Sequence, residues 1–258
     1  MSQTKRPRRS AEGGYARGEE TRLRIIQAAI ELFGEHGFAA ASTREIAARA
    51  GVNAPALQYY FENKEGVYRA CAEHLASEVW RQFEPPVRHA VQTLESTDDA
   101  ASLIEAFIGI QNVMIDRTLA TQTAPTLKLF FVREQAGQEP PIATEIFQER
   151  VRGPLNDAAA GLIGKIGGTP RDDPLTIVRM LSLHGQFLAF HMAPRSVLTL
   201  LGWPMLDPNK VEFVKHTIFL NTRTLLRMWA AERDTHAKAA QSRIRSSKKE
   251  AALKARKR

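Results

Sequence analysis

The sequence predicts an all-α protein with a small N-terminal unit and a larger C-terminal bundle of helices. Apolar residues recur at three- and four-residue steps, whereas Val, Ile and Thr never alternate with polar residues over the length of a strand. No Asn-Gly or Asp-Gly pair marks a β-hairpin. Short helices with clear capping residues come first and longer ones follow, which is why two units are expected.

The composition limits the class of protein. The 258 residues suffice for one large core or two modest ones. No run of about 18 apolar residues appears, so no membrane span is expected, and the basic start "MSQTKRPRRSAEGG" lacks the apolar stretch of a secretory signal. Cys71 is the single cysteine, so no intrachain disulfide can form and a reducing, cytoplasmic setting is expected.

The net charge of +8 is carried by the two ends of the chain. Residues 1–10 have four positive side chains and no acid, and residues 238–258 have nine positive side chains and one acid. The rest of the chain is therefore mildly acidic. Such basic ends are usually disordered and attract polyanions by counterion release, or they serve only as solvated ends that aid solubility.

The first predicted helix runs from Glu19 to His36, and Gly37 follows it as a candidate C-cap. Its apolar positions recur on one face, which is typical of a helix packed on a core. These positions are Leu23, Ile26, Ile30 and Phe33.

Two short helices follow, separated by a glycine. Ser42 is an N-cap candidate and Glu45 completes a capping box, so a helix is expected to begin there and to stop at Gly51. Asn53 is the next N-cap candidate, for a helix that reaches about Tyr60. Two short helices joined by a tight glycine turn are typical of a helix-turn-helix.

A longer helix comes next. Asn63 caps it, Lys64 begins it, and Pro85-Pro86 is expected to end it after about Phe83.

The second short helix is expected to expose polar and aromatic side chains, because Leu57 and Phe61 turn toward the core. An exposed helix of this size fits a DNA major groove about 12 Å wide. Gln58 can pair with an adenine edge. The Tyr59 ring can lie against sugar or a thymine methyl while its hydroxyl donates to a phosphate. A plain packing role is the alternative for any one of these residues.

Helix ends supply further candidates for DNA contact. Asn53 can reach a backbone or base atom, and Lys64 and Thr43 begin helices near the phosphate backbone. Residues 11–70 have seven Lys or Arg against eight Asp or Glu, so this region is not basic by count. The placement of cations such as Arg44 must therefore matter more than the net charge, or the basic ends must help.

The stretch "TRLRIIQAAIELFGEHGFAAASTREIAARAGVNAPALQYYFENKEGVYRA" resembles the DNA-binding domain of the TetR family of transcriptional regulators. The resemblance implies a homodimer with one recognition helix per subunit, bound to an inverted-repeat operator. Many relatives have Lys or Gly where this chain has Ala54 and Pro55, and a tyrosine at Gln58. By motif position, the family's usual DNA contacts fall on Thr43, Ala54, Pro55, Ala56, Gln58, Tyr59, Tyr60 and Lys64.

Further helices are predicted beyond residue 85. Pro125 begins a short helix "PTLKLFFVREQ", a kink is expected at Gly153-Pro154, and "GGTPRDDP" and "GWPMLDP" are loops. The other predicted spans are Asp98 to Thr118, Ile142 to Ile166, Pro174 to Met192, and Asn209 to about Arg233. The helix from Pro174 is apolar nearly all round, which is typical of a buried or interface helix.

The segments "FFVREQ" and "SLHGQFLAFHMAPRSVLTLLGW" resemble the CecR-type branch of the same family. In the family the C-terminal bundle binds a small molecule and forms the dimer. Apolar and small residues on the last two long helices are the dimer candidates, with an ordinary core role as the alternative: Leu181, His184, Gly185, Leu188, Met192, Phe213, Thr217, Leu220 and Thr224.

A ligand pocket is expected among aromatic and Met side chains of the bundle, with Arg133 or His191 to orient a polar or anionic ligand. Such side chains are more often plain core. The apolar candidates are Phe107, Ile110, Met114, Phe130, Phe147 and Trp203. His184 and His191 share a helix face, but no further ligand sits at matching spacing, so no metal or other cofactor is expected.

These patterns predict four regions: a basic arm 1–17, a helix-turn-helix domain 18–64, a ligand-binding and dimerisation domain 65–233, and a basic tail 234–258. The leading hypothesis is a homodimeric repressor that a small-molecule effector releases from its operator. An architectural DNA binder that relies on the basic ends is the second. A helical enzyme is the third, and the sequence offers no nucleophile elbow, phosphate-binding glycine loop or metal signature for it.

Overall fold

A computed structural model describes the backbone of residues 11–119, 125–137 and 139–255, with side chains for 16–119, 126–137, 139–190 and 192–242. The described residues form eleven α-helices, one π-helical segment and no strand, so the predicted all-α class is confirmed. None of these helices is long and apolar enough to cross a membrane. They are α1 (Ala11–Ala40), α2 (Thr43–Arg49), α3 (Ala54–Tyr60), α4 (Lys64–Ser96), α5 (Ala100–Leu119), α6 (Pro125–Gln135), α7 (Ile142–Phe147), α8 (Gly153–Gly167), α9 (Pro174–Met192), α10 (Pro194–Leu201) and α11 (Pro208–Ala255).

The helices belong to two compact units. The first unit is drawn from residues 1–80 and 122–152, so it holds α1 to α3, the first half of α4, α6 and α7. The second unit is drawn from residues 81–121 and 153–258 and holds the rest. The segment from α6 to α7 therefore packs with the N-terminal helices, although it lies far from them in the sequence.

Helix α4 does not end at Pro85-Pro86, as predicted, but continues through both prolines to Ser96. Phe83, Val87 and Ala90 are all buried along one face of this part of the helix. Burial of that apolar face offsets the hydrogen bonds that the two prolines cannot donate. The expectation that the proline pair ends the helix was wrong because it weighed local propensity without tertiary packing.

Helix α11 extends to Ala255, whereas the sequence pattern predicted an end near Arg233. The added segment is rich in Ala, Lys and Arg, which are strong helix formers even where no apolar stripe marks a helix. The basic tail predicted at 234–258 is therefore helical as far as it is described. Residues 256–258 lie outside the described part of the chain.

Helix α1 begins at Ala11, earlier than the predicted Glu19. The basic arm predicted at 1–17 thus overlaps α1, and residues 1–10 lie outside the described chain. The functional boundary predicted between residues 64 and 65 stays a prediction.

A π-helical segment, Gln148–Arg152, separates α7 from α8. It lies directly before the predicted kink at Gly153-Pro154. Pro154 has no N–H to donate, and its ring would meet the carbonyl four residues earlier in a regular helix. The wider π turn accommodates the proline without ending the helix.

Candidate DNA-binding site

Helix α2 begins at a fully formed capping box. The Ser42 Oγ accepts from the Glu45 backbone N–H at 3.2 Å, and the Glu45 carboxylate accepts from the Ser42 N–H at 3.0 Å. The same carboxylate accepts from the Ser42 hydroxyl at 2.7 Å. These hydrogen bonds hold the pKa of Glu45 below its usual value. The predicted start of α2 is confirmed.

The turn into α3 also follows the predicted chemistry. Gly51 has a φ of 67°, which a residue with a Cβ rarely adopts. The Asn53 Oδ1 then accepts from the Ala56 N–H at 2.8 Å and caps α3. Ile46 of α2 and Leu57 of α3 are buried, so the two helices are held by a shared core. This arrangement is a helix-turn-helix.

The opposite face of α3 is open to solvent. Tyr59 is 84% exposed, and Gln58 is exposed beside it. Tyr60 is half-buried, and its ring meets that of Tyr59 edge to face at 5.2 Å. Of the remaining predicted contacts on this helix, Asn53, Ala54 and Pro55 are exposed and Ala56 is half-buried. The sequence-predicted candidates therefore do share one accessible helix.

Lys64 stands at the start of α4 and is half-buried. Its Nζ donates to the carbonyl of Ala39 at 3.1 Å and lies 4.5 Å from the centre of the Phe38 ring. An open cleft of about 480 Å³ lies beside it and also reaches Gln58. Phe38 and Ala39 of α1 therefore already orient the Lys64 side chain that is predicted to contact a phosphate.

The arginines of α2 differ in their surroundings. Arg49 donates to Glu35 at 2.9 Å and lies 3.6 Å from Glu31, so acidic groups of α1 offset its charge. Arg44 is exposed, and Thr43 is half-buried at the first turn of the helix. Arg44 is thus the better placed of the two arginines for a phosphate.

Comparison with known proteins places this helix-turn-helix in a family. Residues 25–71 match the family described as bacterial regulatory proteins, tetR family, and residues 103–228 match the C-terminal domain of the HTH-type transcriptional dual regulator CecR. CecR of Shigella flexneri is 34% identical over 203 residues, which cover 78% of this chain and 89% of CecR. The chain belongs to the TetR family of bacterial transcriptional regulators.

Other proteins resemble the chain over a shorter stretch or at lower sequence identity. The regulatory protein RaaS of Mycobacterium tuberculosis is 46% identical over 56 residues, which are 22% of this chain and 26% of RaaS. A crystal structure from Pseudomonas aeruginosa PAO1, described as that of a transcriptional regulator, shares the fold with a TM-score of 0.53 at 16% identity, covering 82% of this chain and 94% of that one. As a TetR-family member the chain is a DNA-binding transcriptional regulator and not an enzyme.

The residues predicted for the dimer lie on α9 and α11, within the second unit. Leu181, Leu188 and Met192 are 57%, 52% and 72% exposed, and Phe213 and Leu220 are 62% and 57% exposed. Gly185, Thr217 and Thr224 are exposed as well, whereas His184 is half-buried. The far side of α9 carries buried Met180, Leu183 and Phe187. Helix α9 is thus buried on one side and apolar but open on the other.

The residues predicted for the ligand pocket divide between the two units. Phe107 and Ile110 are fully buried in the second unit, and Met114 and Trp203 pack against a core that includes Phe187. Phe130 and Phe147 belong to the first unit, where both contact Phe131. The side chain of His191 lies outside the described part of the chain. No single unit brings the whole predicted set together.

Arg133 has backbone partners in the first unit. Its guanidinium donates to the carbonyls of Gly34 at 3.2 Å and Glu35 at 3.4 Å. Both carbonyls belong to α1. This placement favours a structural role over the predicted contact with a ligand.

The sequence analysis missed Gln111 and Gln186 of the second unit as site candidates and predicted His184 for the dimer only. Within the described chain, Gln111 Oε1, His184 Nε2 and Gln186 Oε1 are buried without a hydrogen-bond partner. Gln111 is fully buried, and its Nε2 donates weakly to the Leu183 carbonyl at 3.4 Å. A buried polar atom without a partner is costly, so these atoms are the polar groups of this unit that would gain most from a hydrogen bond to another molecule. A lone glutamine in an apolar helix is the only sequence signal for this.

His184 makes a testable prediction about acid stability. Its ring stacks on Phe107 at 6.2 Å, and burial lowers its pKa from 6.5 to about 4. Below about pH 6.5 the unfolded chain binds a proton that the folded chain does not take up until about pH 4. The free energy of unfolding therefore decreases as the pH falls from about 6.5 to about 4, and it keeps its full value above about pH 6.5. We expect His184→Phe to flatten the change in urea midpoint between pH 7.5 and 5, whereas His89→Phe, at an exposed site, should not. Equal slopes for H184F and the unmodified protein would contradict the assignment.

Proposed function

We propose that this TetR-family regulator is a homodimeric repressor that binds an inverted-repeat operator and is released from it by a small-molecule effector. The observation that supports operator reading is the exposed Gln58-Tyr59 edge of α3, which buried Leu57 and Ile46 hold in a fixed orientation. Side chains on a rigid, exposed helix can contact base edges in the major groove. The DNA-contacting residues are those predicted from the sequence, with Arg44 and Lys64 as the cations. A cytoplasmic location follows from this role.

The open apolar side of α9 and α11 supports the dimer. Leu181, Leu188, Phe213 and Leu220 recur at seven-residue spacing on their helices and are all more than half exposed. Exposed apolar side chains that recur along a helix are typical of an interface, and two copies of one surface pack through two-fold symmetry. A two-fold dimer would present two α3 helices to half-sites one DNA turn apart.

Charge placed on this surface should separate the dimer. We expect Leu188→Glu to yield a monomer in sedimentation experiments and to weaken operator binding by about 100-fold or more, since a single half-site contact remains. Leu200→Glu is the matched control, because Leu200 is 87% exposed on α10 and outside the predicted interface. A dimeric Leu188→Glu variant would argue against this interface.

An effector site in the second unit is supported by the unpartnered polar atoms at Gln111, His184 and Gln186. A small polar molecule that supplies hydrogen bonds there would be favoured over water in an otherwise apolar surrounding. Helix α4 is one unbroken helix whose residues belong to both units, so a shift of α4 is the simplest way to reach the DNA-binding helices. Only a few kcal/mol of differential affinity would be needed.

Direct selection of bound DNA tests operator recognition. Duplexes enriched from a random library by the purified protein would be compared with scrambled duplexes of equal length at about 0.15 M salt. A preference of about a thousandfold or more, on an inverted repeat, supports the proposal. Equal binding of selected and scrambled duplexes refutes it. In vitro transcription from a promoter carrying the selected site then separates repression from activation, since CecR of Shigella flexneri is named a dual regulator.

A second candidate function is architectural DNA binding through the basic ends. The observation in its favour is that residues 238–258 hold nine positive side chains against one acid, and six of the nine belong to the helix that continues to Ala255. This function predicts that the affinity for DNA falls steeply with salt and does so equally for every DNA sequence. Ending the chain after residue 237 should then abolish most DNA binding, whereas the repressor should keep its sequence preference and lose only part of its salt dependence.

A further inference from the structure

Helix α1 is interrupted at Gly37, six residues before α2 begins at Thr43. Gly37 has φ 79° and ψ 167°, so the backbone leaves the helical path there. An interruption of this kind frees carbonyls before the break and N–H groups after it, and both need partners. The short segment from Gly37 to Ala41 then leads directly to the N-cap of α2. Whatever holds this segment also sets where the helix-turn-helix begins.

Two charged side chains from the α6–α7 segment hold the two sides of this break. Arg133 donates to the carbonyls of Gly34 and Glu35, just before the break. Glu139 accepts from the N–H of Phe38, just after it, at 2.7 Å. A Cβ on Gly37 would lie 3.0 Å from both the Arg133 Nη1 and the Glu139 Oε1, so both charged groups reach this glycine. The signs match the backbone: the cation faces carbonyls and the anion faces an N–H.

The held segment in turn contacts Lys64. The Phe38 ring lies 4.5 Å from the Lys64 Nζ, and the next residue, Ala39, accepts from that Nζ at 3.1 Å. The same Phe38 ring packs on Tyr68 at 5.2 Å. Residues 38 and 39 therefore lie between Arg133 and Glu139 on one side and Lys64, a predicted phosphate contact, on the other.

The α6–α7 segment is itself firmly held. Glu134 is only 2% exposed, and its carboxylate accepts hydrogen bonds from both Nη groups of Arg152. Thr126 lies so close to α1 that a Cβ on Gly34 would come within 2.1 Å of its carbonyl oxygen. Arg133 is thus presented from a helix whose position relative to α1 is tightly constrained.

We propose that Arg133 and Glu139 are positioning residues for DNA binding: they hold residues 37–41 so that Lys64 is oriented toward the phosphate backbone. This inference rests on the proposed function, because it takes Lys64 as a DNA contact. Neither Arg133 nor Glu139 itself needs to touch DNA. Their effect passes through the Phe38 ring and the Ala39 carbonyl.

The test compares Glu139→Ala with Glu139→Gln on the selected duplex. We expect E139A to weaken binding about tenfold, because it removes a charged acceptor, and E139Q to stay within about threefold, because its amide oxygen can still accept from Phe38. In a Lys64→Ala background the effect of E139A should fall below about twofold, since the residue it acts through is gone. Glu145→Ala, an exposed carboxylate on α7, is the control for lost charge.

Hydrogen exchange supplies a readout that needs no DNA. In E139A we expect the amides of residues 39–43 to exchange faster while the melting temperature stays within about 2 °C of the unmodified protein, and E145A should change neither. The inference would be overturned if the amides of residues 39–43 exchanged at the same rate in E139A as in the unmodified protein. It would also be overturned if the double variant lost DNA affinity by the product of the losses in E139A and K64A. Failure of the unmodified protein to prefer any selected duplex would instead count against the proposed function, and the exchange result would still decide whether the pair holds residues 37–41.

Discussion

Replacement of Tyr59 by alanine is expected to weaken operator binding by about 10- to 100-fold and to leave the free energy of unfolding almost unchanged. The side chain is 84% exposed, so its removal leaves no cavity in the core. Its neighbour Gln58 is also exposed, whereas Leu57 before it is buried. Loss of Tyr59 therefore removes a contact surface from α3 without disturbing the packing that orients the helix.

Two further substitutions show how Tyr59 acts. Tyr59→Phe keeps the ring and loses the hydroxyl, so a loss as large as that of Y59A would assign the effect to a phosphate or base hydrogen bond. Leu57→Ala should behave in the opposite way and lower stability by about 2–5 kcal/mol, because Leu57 is 1% exposed. Affinities would be measured by titration of a labelled selected duplex, and stabilities by urea unfolding. Undiminished binding by Y59A would remove this residue from the DNA-reading face.

Replacement of Gly34 by alanine is expected to destabilise the first unit by about 3 kcal/mol. A Cβ at this position would lie 2.1 Å from the carbonyl oxygen of Thr126 and 2.9 Å from its carbon. These are backbone atoms, so no side-chain rotation can relieve the contact, and α1 and α6 must move apart. The same movement would disturb the Arg133 contact with the Gly34 carbonyl, so DNA binding should weaken together with stability.

The matched control for Gly34 is another glycine of the same helix. At Gly18 the nearest atom to a new Cβ is the Tyr60 hydroxyl oxygen at 3.8 Å, an ordinary contact. Gly18→Ala should therefore be neutral or stabilise by up to about 1 kcal/mol through a lower entropy of the unfolded chain. Thermal unfolding followed by circular dichroism compares the two variants. A Gly34→Ala protein as stable as Gly18→Ala would mean that α1 and α6 are less closely packed than the structure shows.

The DNA-binding end of the molecule was predictable because its determinants are local. The capping box of Ser42 and Glu45, the glycine turn and the Asn53 cap each act over a few residues, so spacing alone identifies them. Burial of Leu57 and exposure of Tyr59 then follow from the helical period. The family resemblance rests on the same short stretch.

The ligand-site predictions were weaker because a pocket is assembled from distant segments. Aromatic side chains such as Phe107 and Phe130 are equally suited to a core, and the structure buries both, in different units. The buried polar atoms of Gln111 and Gln186 are informative only once their neighbours are known. A sequence pattern shows that a residue is polar, but not that it is buried without a partner.

By itself, the sequence determined the all-α class, the helix-turn-helix and the exposed face of its second helix, because these depend on periodicity and on hydrogen bonds between near neighbours. Only the tertiary structure decided that α4 passes through Pro85-Pro86 and that Arg133 binds the backbone of α1. In both cases the deciding interactions join residues far apart in the chain. Burial of an apolar face outweighs a local helix-breaking preference, and a backbone carbonyl about 100 positions away can satisfy a guanidinium that the sequence alone suggested for a ligand.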